Sequence, residues 1–201
     1  MEHVLSLLVC KHLLKKGVIT EELKDVYIYG FDLLFSFLIS TTIILTIGLI
    51  THQILPTIFF LLTFILVRRY TGGYHANTYL KCQICTVSFY LITIILSVYL
   101  NIPHYSFIIL GAIGIFVILL LGPIENPHKP LTDQEKKKHK ITGLILFSMV
   151  CIVGAIIKPF NDVWGNTFFY TLSLIIILMI IPLLGRRKNN EEDKQDWKDC
   201  C

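Results

Sequence analysis

Charge is what this chain has least of. Only 16% of its 201 residues are Asp, Glu, Lys or Arg, while 54% are hydrophobic; a soluble domain carries about 25% charged residues. A surface so poor in charge is suited to lipid rather than water. The net charge of +4 is small, and no readout motif accompanies it, so no nucleic-acid partner is expected. Cysteine is too sparse for a disulfide scaffold: Cys10, Cys82, Cys85, Cys151, Cys200 and Cys201 do not form a dense, evenly used framework. A cleavable signal peptide is also missing, because Glu2 is acidic, the apolar part before Lys16 is short and no small-residue cleavage site follows. No internal repeat and no cofactor-binding motif can be read.

What the chain does have is long apolar runs, each about the length needed to cross roughly 30 Å of hydrocarbon at 1.5 Å per residue. Six spans are expected, at about 33–50, 52–67, 83–100, 106–122, 141–157 and 167–184. Residues 1–19 mix leucines with Lys11, Lys15 and Lys16 and read as an interfacial helix ended by Gly17. Thr20 followed by Glu21 and Glu22 marks the next helix start, with acids near the positive end of its dipole. The fold class is therefore all-α, a polytopic membrane protein with six transmembrane helices. Residues 1–188 are expected to form a single integral membrane domain and 189–201 a charged, disordered tail. The terminal Cys200-Cys201 pair invites a lipidation reading, but six spans gain little from another anchor.

The basic residues alternate with the spans. Residues 1–32, 68–82, 123–140 and 185–201 carry 17 Lys and Arg, whereas the intervening connections carry only Lys158. The positive-inside rule then predicts that both termini and the loops at 68–82 and 123–140 are cytoplasmic.

One polar stretch interrupts the apolar pattern: Arg68-Arg69-Tyr70-Thr71-Gly72-Gly73-Tyr74-His75-Ala76-Asn77-Thr78-Tyr79-Leu80-Lys81-Cys82-Gln83-Ile84-Cys85. A cysteine becomes a nucleophile when a helix N-terminus, nearby cations or a histidine stabilise its thiolate. Cys82 has all three within reach of the sequence: a helix start that Asn77 or Thr78 could cap, Lys81 beside it, and His75 seven residues upstream. On a straight helix seven residues rise about 10.5 Å, so a working pair requires the chain to fold back between them. Gly72-Gly73 and Asn77-Thr78 suit such a bend. Other readings stay open on the residues alone. His75 could be an interfacial polar residue, and Cys82 with Cys85 could form a redox pair, although the outer loops contain no cysteine. His75, Cys82 and Cys85 could bind a metal with His128 or His139 as a fourth ligand. Six spans also suit a peptide exporter or membrane scaffold, but the span centres are almost free of charge, which favours chemistry at an interface.

The block from Arg68 to Cys82, together with the Pro-Ile-Glu-Asn-Pro-His-Lys-Pro loop at 123–130 and the basic N-terminal segment, resembles the AgrB family, membrane-embedded cysteine endopeptidases of Gram-positive quorum sensing. The resemblance covers nearly the whole chain up to about residue 186. It implies an AgrD-type precursor peptide as substrate, cut near its C-terminus and closed into a thiolactone or lactone ring. Cys82 matches the family's nucleophile and His75 its general base and acid, and Arg68, Gly72 and Gly73 lie at site-shaping positions. Precursors of this kind resemble an amphipathic leader, a short core and an acidic tail, which makes Lys129, Lys136, Lys137 and Lys138 candidate substrate-binding residues. No metal or other cofactor is implied. A homodimer in the cell membrane, with its active site facing the cytoplasm, is the expected state.

Overall fold

The computed structural model describes residues 2–72, 79–124 and 132–188. Among them there is no strand, and seven α-helices carry almost everything: α1 (Glu2–Lys15), α2 (Lys24–Ile50), α3 (Ile54–Thr71), α4 (Tyr79–Tyr99), α5 (Ser106–Leu121), α6 (Asp133–Ile157) and α7 (Asp162–Lys188). The six expected spans correspond to α2 through α7. Five of these helices are long and apolar enough to cross a membrane, and α5 is a shorter apolar helix of 16 residues. At about 24 Å, α5 falls short of a full hydrocarbon core, a mismatch that bilayers accommodate at modest cost.

The helices outrun the apolar segments that mark them. α2 begins at Lys24 and α6 at Asp133, about two turns ahead of the expected spans at 33 and 141. The reason at α6 is a capping box. The Thr132 hydroxyl accepts from the Glu135 amide, and the Glu135 carboxylate accepts from the Thr132 amide at 2.9 Å. These bonds satisfy helix-terminal N–H groups before any apolar residue is reached. At the other end of the chain's first helix, Gly17 at φ +67° lets Val18 donate to Leu13 and Gly17 to Leu14, closing α1 where the sequence predicts. Thr20 then leads into a short 3₁₀ turn, Glu21–Leu23, before α2.

The helices gather into two compact units, one holding α1, α2 and α4 as far as Tyr90, the other α3, α4 from Leu91, and α5, α6 and α7. In the first, α2 buries a stripe of Asp32, Ser36, Ser40, Ile44 and Gly48, spaced four apart along one face. α1 packs against α2 and buries Ser6 and Cys10. Large apolar side chains elsewhere on α2, including Leu33, Leu34, Phe37 and Leu38, are exposed, as expected of a lipid-facing surface.

In the second unit α7 is the most enclosed helix, burying Thr167, Phe168, Thr171, Leu172, Ile175 and Met179 among others. Lipid tails are as apolar as leucine, so contacts here depend on close packing at small residues. A side chain on Gly114 of α5 would meet the buried Phe147 ring of α6 at 2.1 Å. One polar knot lies beside this core. Lys158, which the sequence marks only as the exception in the charge pattern, is 5% exposed. Its ammonium donates to Asp162 and Asn166, each at 2.7 Å, and to Asn101. Asn166 in turn donates to the carbonyls of Ser97 and Leu100, the last groups of α4, at 3.0 and 3.1 Å. Gly165 makes the knot possible, since a Cβ there would lie 2.5 Å from the Lys158 Cα.

Candidate active site

Cys82 lies in the first turn of α4, as its sequence context predicts, and is half-buried with a free thiol. Lys81 beside it is exposed. Cys82 thus lies toward the N-terminal end of α4, the end that carries the positive pole of the helix dipole. Thr86 closes the turn from above, its hydroxyl donating to the Cys82 carbonyl at 2.8 Å. Cys85, three residues on, is also half-buried and free. His75, Gly73, Asn77, Thr78, His128 and Lys129 lie outside the described residues.

The residue after Cys82 is the one that sequence reasoning passed over. Gln83 is buried, and its amide donates to the Ser36 hydroxyl of α2 at 3.1 Å, with the Ser36 carbonyl at 3.5 Å. A glutamine at the start of a span looks like any interfacial polar residue, and its partner lies 47 positions away.

Cys200 and Cys201 lie outside the described residues, and Cys10 and Cys151 are poor candidates for the same chemistry. Cys10 is fully buried in α1; burial pushes its thiol up from the ordinary range, and the Asp32 carboxylate adds to the effect. Cys151 is buried in α6 with its sulfur 3.4 Å from the Phe107 carbonyl oxygen.

In the second unit, the end of α3 is built around Arg68 and Gly72. The Arg68 guanidinium lies 5.0 Å from the centre of the Phe64 ring one turn earlier, a cation–π contact that keeps it half-buried at the helix end. Gly72 has φ +72°, a conformation costly for any side chain, and donates back to the Arg68 carbonyl at 2.9 Å. The following loop meets it from above: the Ile124 amide donates to the Thr71 carbonyl at 3.0 Å. A Cβ on Gly72 would stand 2.2 Å from the Ile124 carbonyl oxygen. Glycine is therefore required here twice over, by backbone conformation and by space. Tyr70 packs edge-on to His139 of α6 with centroids 5.4 Å apart, so the loop base is held against the basic end of α6.

That basic end is helical, which separates its lysines. Lys136, Lys137 and Lys138 fan round about 200° of the helix, so they cannot all face one ligand. Lys136 lies 3.8 Å from Asp133. Lys137 and Lys138 instead line a shallow groove with Gln134, Ile141 and Thr142. Lys140 turns away and donates to the Leu119 carbonyl at the end of α5.

The chain has relatives among known proteins. The family model for accessory gene regulator B (AgrB) matches residues 6–187. The accessory gene regulator protein B of Staphylococcus carnosus is 28% identical over 134 residues, covering 66% of this chain and 70% of that protein. An AgrB-like protein of Listeria monocytogenes is 28% identical over 171 residues, 82% of this chain and 81% of its own length. The accessory gene regulator protein B of Staphylococcus epidermidis is 24% identical over 123 residues, 61% of this chain and 63% of its own. No solved structure matches the chain.

Proposed function

The chain belongs to the accessory gene regulator B family, and from that premise we propose that it is a membrane-embedded cysteine endopeptidase that cuts an AgrD-type precursor and closes the product into a ring. The observation that carries this reading is a free, half-buried thiol, Cys82, in the first turn of a helix beside an exposed lysine. His75 takes the Cys82 proton, and the thiolate attacks the scissile carbonyl of the precursor. The carbon–nitrogen bond breaks as the imidazolium returns the proton to the leaving amine. The acyl-enzyme is a thioester on Cys82. An internal cysteine or serine of the same peptide then attacks that thioester, giving up its proton to His75, and the Cys82 thiolate leaves. Thioester exchange is nearly balanced in energy, so the activation of the cut bond is retained in a thiolactone. Hydrolysis would lose it, and the site works only if it holds the peptide's own nucleophile close while keeping water out.

The other candidate residues have supporting roles in this scheme. Gly72 sets the turn that ends α3, three residues ahead of His75 in sequence, and Arg68 braces that helix end. Lys129, Lys137 and Lys138 receive the acidic tail of the precursor, with Lys136 less well placed because of Asp133. The distribution of 17 basic residues against one supports a cytoplasmic position for this apparatus and for both termini.

The test is processing of the precursor in membranes, read by mass spectrometry of the peptide products. Cys82→Ala and His75→Ala should each abolish cutting and cyclisation, while Cys85→Ala should retain them. Processing that survives Cys82→Ala would refute the assignment and favour a peptide exporter or scaffold. Loss with Cys85→Ala as well would favour a redox pair.

A further inference from the structure

Gln83 occupies the buried stripe of α4 that continues through Tyr90, Ile94 and Ser97. A buried primary amide must keep its hydrogen-bond partners, and the Gln83 amide donates to the Ser36 hydroxyl, with the Ser36 carbonyl at 3.5 Å. Ser36 lies on the buried stripe of α2, and its carbonyl additionally accepts from the Ser40 hydroxyl at 2.9 Å. The 3.1 Å bond from Gln83 to Ser36 thus defines the azimuth of α4 in its first turns against α2.

Adjacent helical residues differ by about 100° in azimuth and 1.5 Å in height. Fixing Gln83 therefore fixes Cys82, whose side chain is half-buried and reachable. A small rotation, well short of one residue, would carry the Cys82 sulfur off its line of attack while leaving it reachable. We propose that Gln83, through Ser36, is the positioning residue for the Cys82 nucleophile: it holds the thiol at the angle of attack without touching substrate. This inference rests on Cys82 being the nucleophile, as proposed above.

A purely structural glutamine would lower protein abundance or melting temperature and leave turnover per folded molecule unchanged. A positioning glutamine does the reverse. The experiment measures kcat and KM for precursor processing, together with the rate at which a small neutral reagent alkylates Cys82, followed by peptide mapping. It uses the full chain in membranes as wild type, Gln83→Met, Ser36→Ala and the double variant, with Cys82→Ala as control. Gln83→Met preserves side-chain volume without the donor, and Ser36→Ala removes only the acceptor, so a folding defect in one leaves the other informative. The expected result is a fall in kcat of roughly tenfold to a hundredfold in each single variant, the scale of a misplacement of about 1 Å, with KM unchanged. The double variant should fall no further than the singles, since both remove one bond. Alkylation of Cys82 should stay within about twofold of wild type, because the thiol remains present and reachable. The proposal is overturned if kcat is retained in both single variants, if their effects multiply, or if alkylation falls in step with kcat, which would place the effect on the thiol itself. Processing by Cys82→Ala would instead refute the nucleophile assignment beneath it; loss there with normal turnover in Gln83→Met refutes the positioning role alone.

Discussion

At the C-terminal end of α4, polar side chains are joined to one another. Asn166 binds the carbonyls of Ser97 and Leu100, Tyr170 adds a bond to Leu100 at 3.2 Å, and Lys158 ties Asn166 to Asp162 and Asn101. At the N-terminal end, among the described residues, Gln83 is anchored to Ser36, and the neighbouring Cys82 is half-buried and in no disulfide. The difference is one of function. A knot whose groups satisfy each other stabilises a helix end but has nothing left to offer a substrate. A reactive group must stay unpartnered, and its geometry has to be fixed from the side by a neighbour.

The contrast predicts that the two ends fail differently. Cys82→Ala should produce the largest change, complete loss of processing, while the melting temperature of the solubilised protein moves by no more than about 2 °C, since a half-buried thiol contributes little packing. A large drop in melting temperature would mean that Cys82 is structural. Asn166→Leu should do the opposite. It removes one of three acceptors of the Lys158 ammonium and the amide that donates to the Ser97 and Leu100 carbonyls, and should cost about 1–3 kcal/mol of stability, read from unfolding in detergent, with kcat of the surviving folded protein near wild type. Unchanged stability would show that the knot is replaceable by packing.

The sequence makes the six apolar helices legible because hydrophobic length is a strong and local signal. Their ends are less so: Asp133–Lys140 is polar enough to read as loop, yet helical because capping and the i to i+4 ladder do not need apolar side chains. Cys82 stands out in the sequence because cysteine beside lysine at a helix start is a recognisable chemical environment. Gln83 and Lys158 do not, because their meaning lies in partners 47 and 57 positions away. Lys158 in particular counts in sequence as an exposed topology signal, and folding encloses it. Gly72 is intermediate. Its role as a bend is readable, but the oxygen of Ile124 that excludes a side chain there is not.

Gly72→Ala therefore sharpens the contrast from the loop side. It should destabilise by about 1–3 kcal/mol through the positive φ and the clash, and lower processing by at least roughly tenfold by disturbing the backbone at the end of α3. Normal processing with normal stability would contradict the close approach. A smaller effect is expected at the basic end of α6. Lys137→Glu with Lys138→Glu should raise KM for the precursor about fivefold at low salt and less at high salt, whereas Lys136→Glu should change it by less than about twofold. Equal effects at all three positions would indicate a diffuse field rather than the groove.

The central claim is that Cys82 carries the acyl group between cutting and ring closure, and the most direct test is to trap it there. A precursor whose internal nucleophile is replaced by alanine can be cut but cannot cyclise. Intact-mass analysis of the protein after brief incubation should then show an adduct equal to the peptide upstream of the cut, mapped to Cys82 and released by hydroxylamine. The same incubation with Cys82→Ala should show none. An adduct on another residue, or cutting at the wild-type rate with no detectable adduct under conditions that preserve thioesters, would contradict the account.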